Sequence, residues 1–177
     1  MILSGLSQQA SRLDKEKMRT QLQSVTAILE TAQRDLRILL LHLRPIELEQ
    51  KSLVEGIQLL LKELEEKSEL KVSFKYQVDE LPKKIEEHVF RIIQELISNT
   101  LRHAQASCLD VYLYQTETGL QLKVVDNGRG FQLGDVDELS YGLRNIKERV
   151  EDMAGSIQLL TAPKQGLAVD IRIPLLD

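Results

Sequence analysis

Residues 82–104, PKKIEEHVFRIIQELISNTLRHA, have a pattern that only a long helix laid against another layer can satisfy. Val89, Ile93, Leu96, Ile97, Thr100, Leu101 and Ala104 recur at three- and four-residue steps, the spacing of a buried helical stripe. Pro82 suits the first turn, where its missing N–H would have no intrahelical partner anyway. Glu95, Asn99, Arg102 and His103 fall on the opposite face, stacked over about two turns. Any one of these residues alone reads as solvated surface, and Glu95 to Arg102 is not an ideal ion-pair spacing. As a set they put a carboxylate, an amide oxygen, a fixed cation and an imidazole together. Asn99 can offer a neutral oxygen to magnesium, which keeps several waters and takes its other ligands from phosphates. Arg102 and His103 can offset phosphate charge, and Glu95 can polarise a water or an attacking nitrogen.

A second element lies downstream. Leu120 to Val125 alternates with period two and reads as a strand. It runs into Asp126-Asn127-Gly128-Arg129-Gly130-Phe131, a carboxylate followed by two glycines that allow the backbone to lie close to a ligand. A short Gly-x-Gly is weak evidence by itself. Set against the 82–104 helix, Asp126 becomes an acceptor for a flat polar group such as an exocyclic amine. Tyr141-Gly142-Leu143-Arg144-Asn145-Ile146 then opens an amphipathic helix whose first amides attract phosphate. Phe131 to Tyr141 is a polar, acidic stretch expected to form a mobile flap. Asp135, Asp137 and Glu138 within it lack the rest of a calcium loop and read as solvated.

The remaining segments complete an α/β layer structure. Residues 52–68 form a Ser-capped helix with Val54, Ile57, Leu60, Leu61 and Leu64 on its apolar side. Residues 70–78, 107–115, 120–126, 156–161 and 167–173 read as strands, several of them separated by turn signals. Helices at 52–68, 82–104 and 142–153 therefore layer on one mixed sheet, with the ligand held between the long helix and the flap. A net charge of −4, a 4% aromatic content and no Trp argue against a nucleic-acid binder. The longest apolar run, Ile38 to Leu41, is far short of the ~20 residues a membrane span needs. Cys108 is the only cysteine and is expected to pack as a small apolar residue.

In order and content the three blocks resemble those of bacterial two-component sensor histidine kinases, which have the Bergerat (GHKL) ATPase fold. Gln94-Glu95 through Asn99 to Arg102-His103-Ala104 resembles the family's N box, Asp126 to Phe131 its G1 box, and Tyr141 to Ile146 its reduced G2 box. The resemblance implies a Bergerat α/β sandwich that binds ATP and Mg. By it Asn99 holds the magnesium, Asp126 recognises the adenine amine and Glu95 is the general base. Arg102 and His103 lie near phosphates, and Gly128, Gly130, Phe131, Gly142 and Leu143 shape the ATP pocket. Leu39-Leu40-Leu41-His42-Leu43-Arg44-Pro45 is similar to kinases that partner NarL-type response regulators, the cell-envelope-stress sensors of Gram-positive bacteria among them. Gly166-Leu167 departs from the Gly-Thr common in the family, which touches one polar contact near the adenine.

The N-terminal third carries a separate signal. From Asp14 to Leu43 no glycine or proline interrupts an apolar seam through Met18, Leu22, Val25, Ile28 or Leu29, Ala32, Leu36 and Leu39 or Leu40. Such a seam suits packing against another helix. The resemblance makes residues 1–45 a partial dimerisation and phosphotransfer hairpin, expected to pair in a homodimer, and residues 46–177 the catalytic ATP-binding domain. The family's phosphoacceptor histidine, usually followed by an acidic residue, has no counterpart in residues 1–45. His42 is set aside because its neighbours match a structural signature at the end of the second helix. The chain is thus expected to begin after the acceptor, as the cytoplasmic part of a longer membrane-bound sensor that meets the membrane only through upstream segments. His88 is expected to be exposed. A GHKL-type protein serine kinase of the anti-sigma type would share the pocket without the helical seam. A noncatalytic dimerisation scaffold with a vestigial pocket is the other alternative.

Overall fold

The computed structural model describes residues 15–29, 31–33, 35–36, 51–132 and 141–175. The Leu39 to Pro45 string with His42, and the acids Asp135, Asp137 and Glu138, lie outside the described residues. The chain divides into two compact units, Met1–Leu40 and Leu41–Asp177. In the first, the described residues between 15 and 36 are helical (α1), with Met18, Leu22, Val25, Ile28, Leu29 and Leu36 all exposed. No helix among the described residues is long and apolar enough to cross a membrane.

The first described helix of the second unit is α2 (Leu53–Lys67). A reciprocal capping box starts it: the Glu55 amide donates to Ser52 Oγ at 3.3 Å, and the Ser52 amide donates to Glu55 Oε2 at 2.9 Å. Two otherwise orphaned donors are satisfied in this way. Leu53, Ile57, Leu60, Leu61 and Leu64 are buried, so Leu53 takes the place in the stripe expected of Val54, which is only half-buried.

Among the described residues five strands follow: β1 (Lys71–Gln77), β2 (Cys108–Thr116), β3 (Gly119–Asp126), β4 (Ser156–Thr161) and β5 (Leu167–Ile173). Their order in the sheet is β1-β2-β3-β5-β4, with β1 and β2 parallel and the other neighbours antiparallel. A parallel pair needs a long crossover, and α3 (Lys83–Asn99) supplies it. Alternate residues Leu109, Val111 and Leu113 of β2, Leu122 and Val124 of β3, and Val169 and Ile171 of β5 are buried on one face. Val89, Ile93, Leu96 and Ile97 of α3 and Ile146 and Val150 of α4 (Tyr141–Asp152) join the same core. The fold is the expected mixed-sheet α/β sandwich of the Bergerat type.

The long helix does not stay regular to Ala104. At Thr100–Ala104 it widens into a π-helical turn, ended by Gln105 in the left-handed region at φ 52°. π-Turns are uncommon and cluster at functional sites. The underwound turn rotates the residues after Asn99 relative to an α-helix, so the single polar face drawn through Glu95, Asn99, Arg102 and His103 is broken at Arg102. His88 also departs from expectation: it is half-buried, and its Nδ1 is shielded from solvent with no hydrogen-bond partner among the described residues.

Candidate functional site

Asp126 is the last residue of the central strand β3 and is 6% exposed. Its Oδ1 accepts the Gly128 amide at 2.8 Å, closing the loop back on the strand. Burial raises the Asp126 pKa above the usual carboxylate value, and the amides of Gly128 and Leu167 partly offset it. The loop is bolted to the π-turn: the Arg129 amide donates to the Ala104 carbonyl at 2.7 Å. A Cβ on Gly128 would lie 2.6 Å from the Ala104 Cβ, so only glycine allows this approach. Asn127 fastens the other side. Its Oδ1 accepts the Ser107 and Cys108 amides, each at 2.9 Å, and its Nδ2 donates to Ser107 Oγ at 2.9 Å.

These ties hold open a cavity of about 320 Å³, within the range of small-molecule sites. Asn99, Thr100, His103 and Ala104 line it from α3 and the π-turn. Asp126, Arg129, Gly130 and Phe131 line it from the loop, with Leu143 of α4 and Leu167 of β5 closing the wall. The His103 pKa is lowered, first by burial and then by the charges of Arg102 and Arg129. The Asn99 Nδ2 is buried without a hydrogen-bond partner among the described residues.

Of the residues singled out in the sequence, Asn99, His103, Asp126, Gly130, Phe131 and Leu143 meet at this cavity. Arg102 is exposed and does not line it, as the π-winding dictates. Glu95 and Gly142 stand at its margin: a Cβ on Gly142 would run into Glu95 Oε1 and lie 3.2 Å from Asn99 Oδ1. The first turn of α4 thus rests on the face that carries Glu95 and Asn99. Gly128 acts through its close approach to Ala104. Arg129, Thr100 and the Asn127 clamp were not foreseen. Asn127 could have been suspected as an Asx residue at a turn, but its partners Ser107 and Cys108 lie 20 and 19 residues upstream.

A buried carboxylate, an amide and an imidazole around one apolar-walled cavity define a nucleotide-binding α/β sandwich. Residues 84–177 match the family described as histidine kinase-, DNA gyrase B-, and HSP90-like ATPase, and the chain belongs to it. It therefore carries an ATP-binding domain. Sensor protein VraS of Staphylococcus epidermidis is 40% identical over 177 residues, covering 98% of this chain and 51% of the relative. The chain thus spans about half the length of the curated relatives it matches. Among solved structures, the histidine kinase domain of a blue-light activated histidine kinase from Erythrobacter litoralis superposes with TM-score 0.58 and 21% identity, covering 70% of this chain and 61% of that one. The ATP-binding domain of PrrB from Mycobacterium tuberculosis gives TM-score 0.55 and 19% identity, covering 66% and 88%. At such identities the likeness speaks for the fold.

Proposed function

We propose that this chain is the kinase core of a sensor histidine kinase. It transfers the γ-phosphoryl group of magnesium ATP to a histidine on a dimerisation helix, from which a NarL-type response regulator receives it. The observation that carries this reading is the convergence of Asn99, His103 and Asp126 on one cavity in a chain so similar to a sensor protein along nearly its whole length. The helical seam and that similarity favour it over a serine kinase or a scaffold.

Asp126 takes the exocyclic amine of adenine, its burial making the hydrogen bond strong. Phe131, Leu143 and Leu167 give the ring an apolar slot. His103 faces the phosphates, with Arg102 and Arg129 adding positive potential. Asn99 offers both of its amide ends: its Oδ1 is the neutral oxygen that would hold magnesium, and its Nδ2, a buried donor with no partner among the described residues, suits a phosphate oxygen. Among the described residues no three His, Cys, Asp or Glu gather into a metal cage of their own. Magnesium usually takes few protein ligands and completes its shell with phosphate oxygens and water. Bound there, it would neutralise charge on the phosphate chain. Glu95 of α3, which with Asn99 faces Gly142 in the first turn of α4, would accept a proton from the attacking imidazole.

The exposed seam of α1 runs through Met18, Leu22, Val25, Leu29, Ala32 and Leu36 in alternating steps of four and three. That is the heptad spacing of a coiled-coil contact, and a second copy is its natural partner. The protein would act in the cytoplasm as the output end of a membrane-bound sensor. Labelling the natural full-length protein with γ-labelled ATP tests the reading: the expected product is acid-labile phosphohistidine, and acid-stable phosphoserine would overturn it.

A further inference from the structure

A hydroxyl outside the cavity wall holds that wall together. Thr161 ends β4, where its Oγ1 accepts the Phe131 amide at 3.1 Å and donates to the Gly166 carbonyl at 2.8 Å. The Phe131 carbonyl, at 3.4 Å, is the more distant acceptor. A threonine hydroxyl has one proton and two lone pairs, so both bonds can stand together. The β4–β5 turn is fastened to the same loop elsewhere. The Lys164 amide donates to the Arg129 carbonyl at 2.6 Å. Gly130 and Gly166, both at positive φ, lie too close to the carbonyls of Ala162 and Asp126 for any Cβ.

Strand register defines what Thr161 can reach. Thr161 pairs with Leu167, and Leu167 with Asp126, forming one row across β4, β5 and β3. Strands lie ~4.8 Å apart, so Thr161 sits about 10 Å from the Asp126 position and cannot share its ligand contact. Its effect has to pass through Phe131, which lines the cavity. With Leu167 apolar, the hydroxyl of Thr161 is the polar tie at this end of the row.

We propose that Thr161 is a positioning residue for the nucleotide. Its hydroxyl pins the Phe131 main chain to the Gly166 turn and so keeps Phe131 and Leu167 at the spacing the base requires. The proposal rests on the nucleotide reading above. Magnesium ATP is titrated into the 177-residue chain and into Thr161→Val and Thr161→Ser, while amide hydrogen exchange is followed at Phe131 and, as a control, at Leu113 in β2. Valine keeps the shape and removes the hydroxyl. The folded valine variant is expected to bind ATP about tenfold more weakly, in line with one lost hydrogen bond. Its Phe131 amide should exchange faster while Leu113 is unchanged, and serine should restore both. Parent-like affinity in the folded valine variant, or a serine variant as weak as the valine, overturns the proposal. If the valine variant does not fold, the parent decides: a protected Phe131 amide supports the tie, and one exchanging like a free amide overturns it. A parent that binds no ATP overturns the nucleotide reading itself.

Discussion

Asp126→Asn separates binding from stability. The carboxylate is 6% exposed, and an asparagine of the same shape can still accept the Gly128 amide through its Oδ1, so the loop should hold. What is lost is a charge-assisted hydrogen bond to the base amine, replaced by an amide that carries no second acceptor oxygen. Hydrogen bonds to charged groups contribute about 1.5–3 kcal/mol. At about 1.4 kcal/mol per decade, ATP affinity should fall about 10- to 150-fold. Stability should move the other way. Burial raises the Asp126 pKa above 3.8. Between that value and the higher folded one, the native state holds more protons than the unfolded state, so stability falls as pH rises through this window. The neutral variant escapes this loss. Its nucleotide-free melting temperature at pH 7 should equal or exceed the parent's, with the gap closing below about pH 4. Calorimetric titration and thermal melts across pH measure both. ATP affinity within threefold of the parent would remove Asp126 from the base contact, and a variant several degrees less stable at neutral pH would contradict the burial cost of the carboxylate.

Gly128→Ala should lose about 1–3 kcal/mol in denaturant unfolding, because its Cβ collides with the Ala104 backbone; an unchanged midpoint would contradict that packing. His103 is held below its usual pKa by burial and by Arg102 and Arg129, so in the free protein it is mostly neutral at pH 7. Phosphate favours its cation, so ATP affinity should rise from pH 8 to pH 6 more steeply in the parent than in His103→Gln; parallel profiles would remove His103 from the phosphates. If the proposed α1 pairing holds, the 177-residue chain should sediment as a dimer and the Leu22→Asp, Leu29→Asp double variant as a monomer with the same ATP affinity; a monomeric parent would contradict the pairing.

The strands were legible because each side chain reports its face: Leu109, Val111 and Leu113 alternate with Asp110 and Tyr112, and the sheet buries that first set. The α2 start was written in Ser52, although Leu53, one place outside the expected stripe, proved to be buried. The π-turn was not legible. Thr-Leu-Arg-His-Ala carries no local mark that separates i→i+5 from i→i+4 bonding, and the turn ends where the Ala104 carbonyl accepts the Arg129 amide of the Asp126 loop. That docking makes His103, and not Arg102, a wall of the cavity. Arg129, Asn127 and Thr161 escaped for a related reason. Their partners are Ala104, Ser107 and Phe131, tertiary neighbours that periodicity along one segment cannot name.

The most direct test of the account is a titration of ATP with magnesium into the parent, Asn99→Ala and Asp126→Ala chains. Saturable binding by the parent is expected, weakened at least about tenfold in each variant, since one loses the oxygen that would hold magnesium and the other a charge-assisted hydrogen bond to the base. A parent that does not bind, or variants that bind as the parent does, would contradict the claim that this cavity is the nucleotide site.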